Sequence, residues 1–120
     1  MDKSTNYNVY YRNVILTTEN MQIVLMSIKP NEEIGMEVHP NTTQFIKVEG
    51  GKGLAITINN DEQVVYEIKE GSSVTITQGT YHNIVNTSND DLKIYSIYSP
   101  PEHEVSLGYQ VNKGDDFIIY

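Results

Sequence analysis

Two short stretches decide the fold of this chain: EVHPNTTQ at positions 37–44 and GTYH at positions 79–82. Glu37 and His39 are two residues apart, so on a strand both side chains leave the same face. Gln44 follows a Pro-Asn break that indicates a turn into the next strand. His82 comes about forty residues later, and inward positions that are distant in sequence become neighbours in a small barrel. The spacing therefore predicts a site for one metal ion in a β-barrel.

Short apolar segments separated by glycine, proline and asparagine surround these stretches, and no stretch has helical periodicity of useful length. The loop Asn59-Asn60-Asp61 is typical of a hairpin. About eight short strands at this spacing indicate an all-β sandwich or barrel. The predicted strands are Met21–Lys29, Ile34–His39, Gln44–Val48, Leu54–Ile58, Val64–Ile68, Val74–Thr77, His82–Val85 and Leu92–Tyr98.

Alternation within the strands predicts which side chains face the interior. We expect three alternating sets to point one way: Leu54, Ile56 and Ile58; Val64, Tyr66 and Ile68; and Val74 and Ile76. The segment Met21–Lys29 is apolar at both parities, which predicts a strand buried on both sides.

The composition limits the class of partner. The 120 residues correspond to one domain, with a barrel over about residues 10–100 and a tail over residues 101–120. Sixteen acidic and eight basic residues give a net charge of −8, and the sequence has no basic cluster. Because nucleic acids and anionic membranes bind basic surfaces, we expect neither as a partner. The N-terminus lacks the apolar core of a signal peptide, and the chain has no cysteine. A cytoplasmic location fits both features.

The first stretch resembles the first motif of the cupins, which has the spacing G-x5-H-x-H-x4-E-x6-G. This chain has Asn31, Glu37, His39, Gln44 and Gly51 at those positions. Asparagine tolerates left-handed backbone, so it is an acceptable replacement for the first glycine. The first histidine of the motif is a glutamate here, and its glutamate is a glutamine.

The second stretch resembles the second cupin motif, G-x5-P-x-G-x2-H-x3-N. This chain has Gly71, Thr77, Gly79, His82 and Asn86 at those positions. The resemblance is closer to a subgroup of small single-domain cupins and runs from about residue 10 to residue 108. It implies a double-stranded β-helix, a jelly-roll-like barrel, with a divalent metal near one end. Because threonine replaces the proline, the turn before the histidine is expected to be less rigidly preset.

The resemblance implies that Glu37, His39, Gln44 and His82 are the metal positions. Glu37, His39 and His82 alone form a two-histidine, one-carboxylate set, which suits Fe(II), and mixed nitrogen and oxygen ligands also suit Mn, Ni, Co and Zn. Gln44 is expected either to be a weak oxygen ligand or to hydrogen-bond a metal-bound water. With one anionic ligand, a divalent ion keeps a net positive charge and attracts a bidentate anion.

Two functions remain open on the sequence alone. One is a metal-dependent enzyme that acts on a small polar acid or sugar derivative, with isomerase, lyase or dioxygenase chemistry. The alternative is a non-catalytic cupin that binds a small ligand. The candidate catalytic residues are Glu37, His103 and Tyr81, and the tyrosines expected to line the cavity are Tyr66, Tyr81, Tyr95 and Tyr98.

We also expect a homodimer. Strands that are apolar on both faces need a covering beyond one barrel interior. Phe45 has the parity opposite to Gln44 and is a candidate for the interface. The apolar end Phe117-Ile118-Ile119-Tyr120 is expected to pack on the barrel or on the second subunit.

Overall fold

A computed structural model describes residues 1–103, 109–111 and 118–119 of the chain. The described residues form one short helix and ten strands. The helix α1 is Asp2–Tyr7, and the strands are β1 Arg12–Thr17, β2 Gln22–Ile28, β3 Thr43–Gly50, β4 Lys52–Asn59, β5 Glu62–Lys69, β6 Ser73–Ile76, β7 Tyr81–Val85, β8 Leu92–Ser99, β9 Tyr109–Val111 and β10 Ile118–Ile119. None of the described helices is long and apolar enough to cross a membrane.

The strands lie in two antiparallel sheets. The larger sheet has the order β10-β9-β1-β2-β8-β3-β6, and the smaller has the order β5-β4-β7. Pairing of β3 with β8, and of β8 with β2, brings together strands far apart in the sequence. The fold class is therefore all-β, as the spacing of the apolar segments predicted.

The hydrophobic core lies between the two sheets. In β2, β3 and β8 the even-numbered side chains face this core, which confirms period-two alternation along each strand. Strand β2 is buried on nearly its whole length, as predicted. The core side chains are Val14, Val24, Met26, Ile28, Ile46, Val48, Ala55, Ile68, Ile76, Ile84, Leu92, Ile94 and Tyr98.

The hairpin between β4 and β5 confirms one turn prediction and corrects a prediction about faces. Asn60 and Asp61 both have positive φ, 53° and 63°, as a two-residue hairpin turn requires. The register pairs Ala55 with Tyr66 and Leu54 with Glu67. The set Leu54, Ile56 and Ile58 therefore faces away from the set Val64, Tyr66 and Ile68, and the prediction of a shared face was wrong. Alternation along a strand defines two faces, but it does not specify which face meets the core. On β4 the inner face is the one that carries the small, fully buried Ala55.

Three other predictions need correction. The segment predicted as a strand over Ile34–His39 instead makes isolated bridges, of Glu33 with Val85 and of Glu37 with His82. Gly35, at φ 101°, interrupts the extended backbone between these bridges. Strand β1 was not predicted, and α1 is less than two turns long, too short for its periodicity to be visible.

The two departures at turn positions of the cupin motifs are accommodated locally. Asn31 has φ 62°, the left-handed backbone that a glycine would otherwise supply. At the second motif, the Thr80 amide donates to the Thr77 carbonyl at 3.2 Å, and the two threonine hydroxyls are 3.1 Å apart. These bonds hold the turn where the motif has proline.

The tail lies only partly within the described residues. Ile118 and Ile119 form β10, which pairs with β9 at the edge of the chain's own larger sheet. Phe117 and Tyr120 lie outside the described residues. The prediction that residues 117–120 pack on the barrel or on a second subunit can therefore be compared with the structure only through the backbone pairing of Ile118 and Ile119.

Gly53 offers a sharp test of the packing between β4 and β7. A Cβ on Gly53 would lie 2.1 Å from the Val85 carbonyl oxygen, so the backbone must shift to admit it. We expect Gly53→Ala to lower the free energy of unfolding by about 1–3 kcal/mol, measured by urea denaturation. Gly50→Ala is the control, because its Cβ would meet only the movable Asn6 carboxamide. Equal stability of the two variants would contradict the close approach of β4 and β7 at Gly53.

Candidate metal centre

Backbone hydrogen bonds join the two sequence stretches. The Glu37 and His82 amides each donate to the other residue's carbonyl at 2.8 Å. The Gly79 amide donates to the His39 carbonyl at 2.9 Å, and Gly79 has φ 80°. These bonds place the loop that carries Glu37 and His39 against the start of β7.

Three potential metal ligands converge where these elements meet. Glu37 Oε1 lies 3.8 Å from His39 Nε2 and 3.8 Å from His82 Nε2. One ligand atom from each residue lies within 4.8 Å of the others, and the two imidazole centroids are 5.0 Å apart. Both histidines are buried, while Glu37 is half-buried. The structure thus brings together the three strongest ligands predicted from the sequence.

The outer nitrogens of both histidines are already bonded to the protein. His82 Nδ1 is 3.0 Å from the Thr80 carbonyl oxygen, which can only accept, so Nδ1 donates. His39 Nδ1 is 3.2 Å from Glu102 Oε1. With a proton on each Nδ1, both Nε2 atoms carry a free lone pair, which is how histidines bound to metal are usually held.

The buried polar atoms at this place fit a metal ion. Within the part of the chain that the structure describes, His39 Nε2, His82 Nε2 and Gln44 Oε1 are buried without a hydrogen-bond partner. An unpaired buried polar atom is costly, and a cation beside Glu37 would supply the missing partner of both imidazole nitrogens. Two imidazole nitrogens and a carboxylate are suitable donors for a divalent transition metal.

Gln44 is positioned by its own hydrogen bonds. Its Nε2 donates to Ser96 Oγ and to the Tyr98 hydroxyl, each at 3.0 Å. This fixes the orientation of the amide and leaves Oε1 as the unpaired acceptor. Through Tyr98, whose ring packs against His39, Gln44 belongs to the same buried cluster as the predicted ligands, and Oε1 is the atom that either predicted role requires.

Gln22 holds the segment that carries Glu102. Its Oε1 accepts from the amides of Glu102 at 3.3 Å and His103 at 2.9 Å, and its Nε2 donates to the His103 carbonyl at 3.1 Å. Gln22 is fully buried on β2. It anchors the backbone on which Glu102 reaches His39. Sequence reasoning missed both Gln22 and Glu102, because they lie far from the motifs along the chain.

Burial changes the titration of the groups around the site. The pKa of His82 is lowered, mainly by desolvation, although the Thr80 hydrogen bond acts in the opposite direction. The pKa of Tyr98 is raised, first by burial and then by the Glu37 charge. The pKa of His103 falls to about 3, because of burial and then because of the charges of Arg12 and His39.

The other candidates from the sequence are His103 and the tyrosines, and they differ in how far they are exposed. His103 packs edge-on against Tyr98, with ring centroids 4.9 Å apart, and Tyr98 in turn packs against His39 at 5.5 Å. Tyr98 is the only predicted cavity tyrosine whose ring contacts this cluster in the described structure. Tyr66 and Tyr81 are about half exposed. Tyr81 precedes His82 on β7 and so points to the opposite face.

The low pKa of the partly buried His103 predicts that acid destabilises the fold. Its folded pKa lies below the ordinary value of about 6.5, so below that pH the unfolded chain binds a proton that the folded chain does not. The free energy of unfolding should therefore fall as the pH drops from about 6.5 toward 3, by at most about 1.4 kcal/mol per pH unit from this group.

Urea denaturation of metal-free protein across this range measures the slope. The pKa of His82 is also lowered, so His82 contributes to the same fall in stability. Comparing wild type with His103→Gln, which removes one titrating group, isolates the contribution of His103. A shallower slope in the variant is the expected result. Identical slopes would show that His103 is protonated equally in both states.

Comparison with known proteins assigns the family. A family model described as "Cupin domain" matches residues 24–98, more than half of the chain and the whole of the proposed metal site. The chain therefore belongs to the cupin family.

Similar proteins extend this assignment. An uncharacterized protein of Acanthamoeba polyphaga mimivirus is 45% identical over 84% of this chain and 63% of the relative. An uncharacterized protein of Bacillus subtilis (strain 168) is 35% identical over 86% of this chain and 56% of the relative. The chain thus spans about half to two thirds of the length of these curated relatives.

Solved structures agree on the architecture. A protein from Bacillus halodurans superimposes with a TM-score of 0.83 at 39% identity, covering 86% of this chain and 80% of that one. A predicted oxalate decarboxylase from Thermotoga maritima has a TM-score of 0.59 at 23% identity and covers 69% of each chain. The latter similarity concerns the fold alone.

Proposed function

We propose that the protein binds one divalent metal ion through Glu37, His39 and His82, and that it is a metal-dependent enzyme acting on a small polar acid or sugar derivative. The observation that carries the proposal is the pair of buried Nε2 atoms, each without a partner among the described residues and each 3.8 Å from the Glu37 carboxylate. The family supports a metal site at this end of the barrel.

The bound ion would polarise a carbonyl group or lower the pKa of a water molecule. The protein side chains would bind and orient the substrate around it. Gln44 Oε1, which is buried without a partner among the described residues, would accept a hydrogen bond from a water on the ion or would serve as a further ligand. The Tyr98 hydroxyl accepts from Gln44 Nε2 and so helps to fix the orientation of the amide beside the ion.

The metal content tests the first half of the proposal. Protein refolded or expressed with Fe(II), Mn, Ni, Co or Zn should retain close to one equivalent after dialysis, measured by elemental analysis. Retention of none of these ions would overturn the proposal.

Turnover tests the second half. Metal-loaded protein should convert at least one compound in a panel of small hydroxy acids, keto acids and sugar acids, and His82→Ala should not. The alternative function is a non-catalytic metal-dependent binding protein. That function predicts a thermal shift with one of these compounds but no product by mass spectrometry.

We further propose that the protein forms a homodimer and that it is cytoplasmic. Phe45 and Tyr95 pack together on the outer face of the larger sheet, with ring centroids 6.3 Å apart, and both are only half-buried in the single chain. A second copy would cover such a surface. Light scattering at micromolar concentration should give about twice the 13.6 kDa chain mass, and a monomer mass would contradict the proposal.

A further inference from the structure

A cleft opens between the two sheets where strands β5 and β6 face each other. Each of these strands is the last one of its sheet, and among the described residues neither has a hydrogen-bonded neighbour on its free side. The cleft has a volume of about 360 Å³, a size typical of sites for small ligands. Its apolar lining includes Ile76, a core residue that is 2% exposed, and the half-buried Val64 and Val74. The cleft therefore extends from the surface to the core.

The rest of the lining is rich in hydroxyl and amide groups. Thr57, Thr77 and Thr80 contribute hydroxyl groups, and Asn59 contributes a carboxamide. Glu62, which is exposed, is the one charged side chain in the lining, and the described lining includes no lysine, arginine or histidine. Such groups both donate and accept hydrogen bonds. The cleft thus suits a neutral, hydroxyl-rich ligand better than an anion.

Tyr66 presents an aromatic ring to the cleft. In the register of β4 and β5 it lies opposite Ala55, which is fully buried, so Tyr66 is on the face of its strand that meets the core. Tyr66 is nevertheless 46% exposed, and it lines the cleft. A ring in this position leaves apolar surface uncovered on an inward face. The C–H face of a sugar ring would cover it, while the sugar hydroxyls bond to the polar lining.

The cleft and the candidate metal centre meet at His82. Thr80 lines the cleft, and its carbonyl oxygen accepts from His82 Nδ1 at 3.0 Å. Thr57 lies opposite His82 in the pairing of β4 with β7. The nitrogen that faces Glu37 is the other ring nitrogen, Nε2. At Thr80 the cleft is therefore on the side of the His82 ring that faces away from the metal ligands.

We propose that this cleft binds a neutral sugar ring and that it is a site separate from the metal centre. The ring stacks on Tyr66, and its hydroxyls exchange hydrogen bonds with the threonine hydroxyls and the Asn59 carboxamide. The Glu62 carboxylate accepts from two neighbouring sugar hydroxyls, and such bonds to a charged acceptor are stronger than neutral ones. The inference goes beyond the proposed function, because none of these contacts uses the metal ion.

Calorimetry and ¹⁵N correlation spectra test the site with the methyl glycosides of glucose, galactose and mannose. At least one glycoside should bind and shift the amide signals of Tyr66 and Thr80, with the same affinity in zinc-loaded and zinc-free protein. Tyr66→Ala should weaken this binding about tenfold, whereas Tyr66→Phe, which keeps the ring, should bind like wild type. Tyr81→Ala is the matched control, because Tyr81 is similarly exposed, at 51%, but lies outside the cleft.

The uronic acid of the sugar that binds tests the role of charge. Its carboxylate would face Glu62, so it should bind about fivefold more weakly than the neutral glycoside. Glu62→Gln should reduce this difference, and Glu70→Gln, at an exposed position outside the cleft, should not. Absence of binding by all three glycosides, unchanged affinity in Tyr66→Ala, or tighter binding of the uronic acid would overturn the sugar site. Binding that requires zinc would place the sugar on the metal and refute a separate site.

Discussion

His39→Ala is expected to abolish binding of the metal ion, whereas Gln44→Ala only weakens it. His39 supplies one of two buried Nε2 lone pairs beside the Glu37 carboxylate, and imidazole is a stronger ligand than a neutral amide oxygen. Loss of one of three strong ligands leaves too few donors to hold the ion. Elemental analysis after dialysis should find close to zero equivalents in His39→Ala and a reduced but measurable content in Gln44→Ala.

The matched control is His103→Ala. It removes another buried imidazole from the same region, but His103 is not among the three converging ligands. This variant should keep the metal content of wild type. Equal metal content in His39→Ala and Gln44→Ala, or loss of metal in His103→Ala alone, would refute the ligand assignment.

Glu102→Ala is expected to lower metal affinity by about 10–100-fold without removing any ligand. Glu102 Oε1 is 3.2 Å from His39 Nδ1, and it holds both the orientation of the ring and the proton that leaves Nε2 free. Glu102→Gln keeps an acceptor and should lose less. Competition with a chelating indicator measures the affinity, and Glu70→Gln, at an exposed position, is the control for the lost charge.

Gln22→Ala should reproduce part of the same effect, because Gln22 anchors the backbone at Glu102 and His103 through three hydrogen bonds. The two substitutions act on one structural unit. The double variant Gln22→Ala/Glu102→Ala should therefore lose less free energy of metal binding than the sum of the losses in the two single variants. Full additivity would show that Gln22 acts on stability alone and does not position Glu102.

The amino-acid sequence by itself determined the local features of this protein. Short apolar segments bounded by turn residues predicted seven of the strands, and the Asn60-Asp61 turn and the positive φ of Asn31 followed from local backbone preference. The candidate metal ligands were also visible, because Glu37, His39 and His82 occur at the spacing of two recognisable motifs. Each of these features depends on residues close together in the chain.

Only the tertiary structure decided which distant groups meet. Glu102 reaches His39, and Gln22 on β2 holds the backbone at residues 102 and 103, through contacts that no local pattern predicts. The choice of Ala55 over its neighbours as an inner residue of β4 was likewise a result of packing between sheets. A strand's alternation specifies two faces equally well, and the register with the strands around it then selects the inner one. The contacts that support the candidate metal site therefore depend on the pairing of strands.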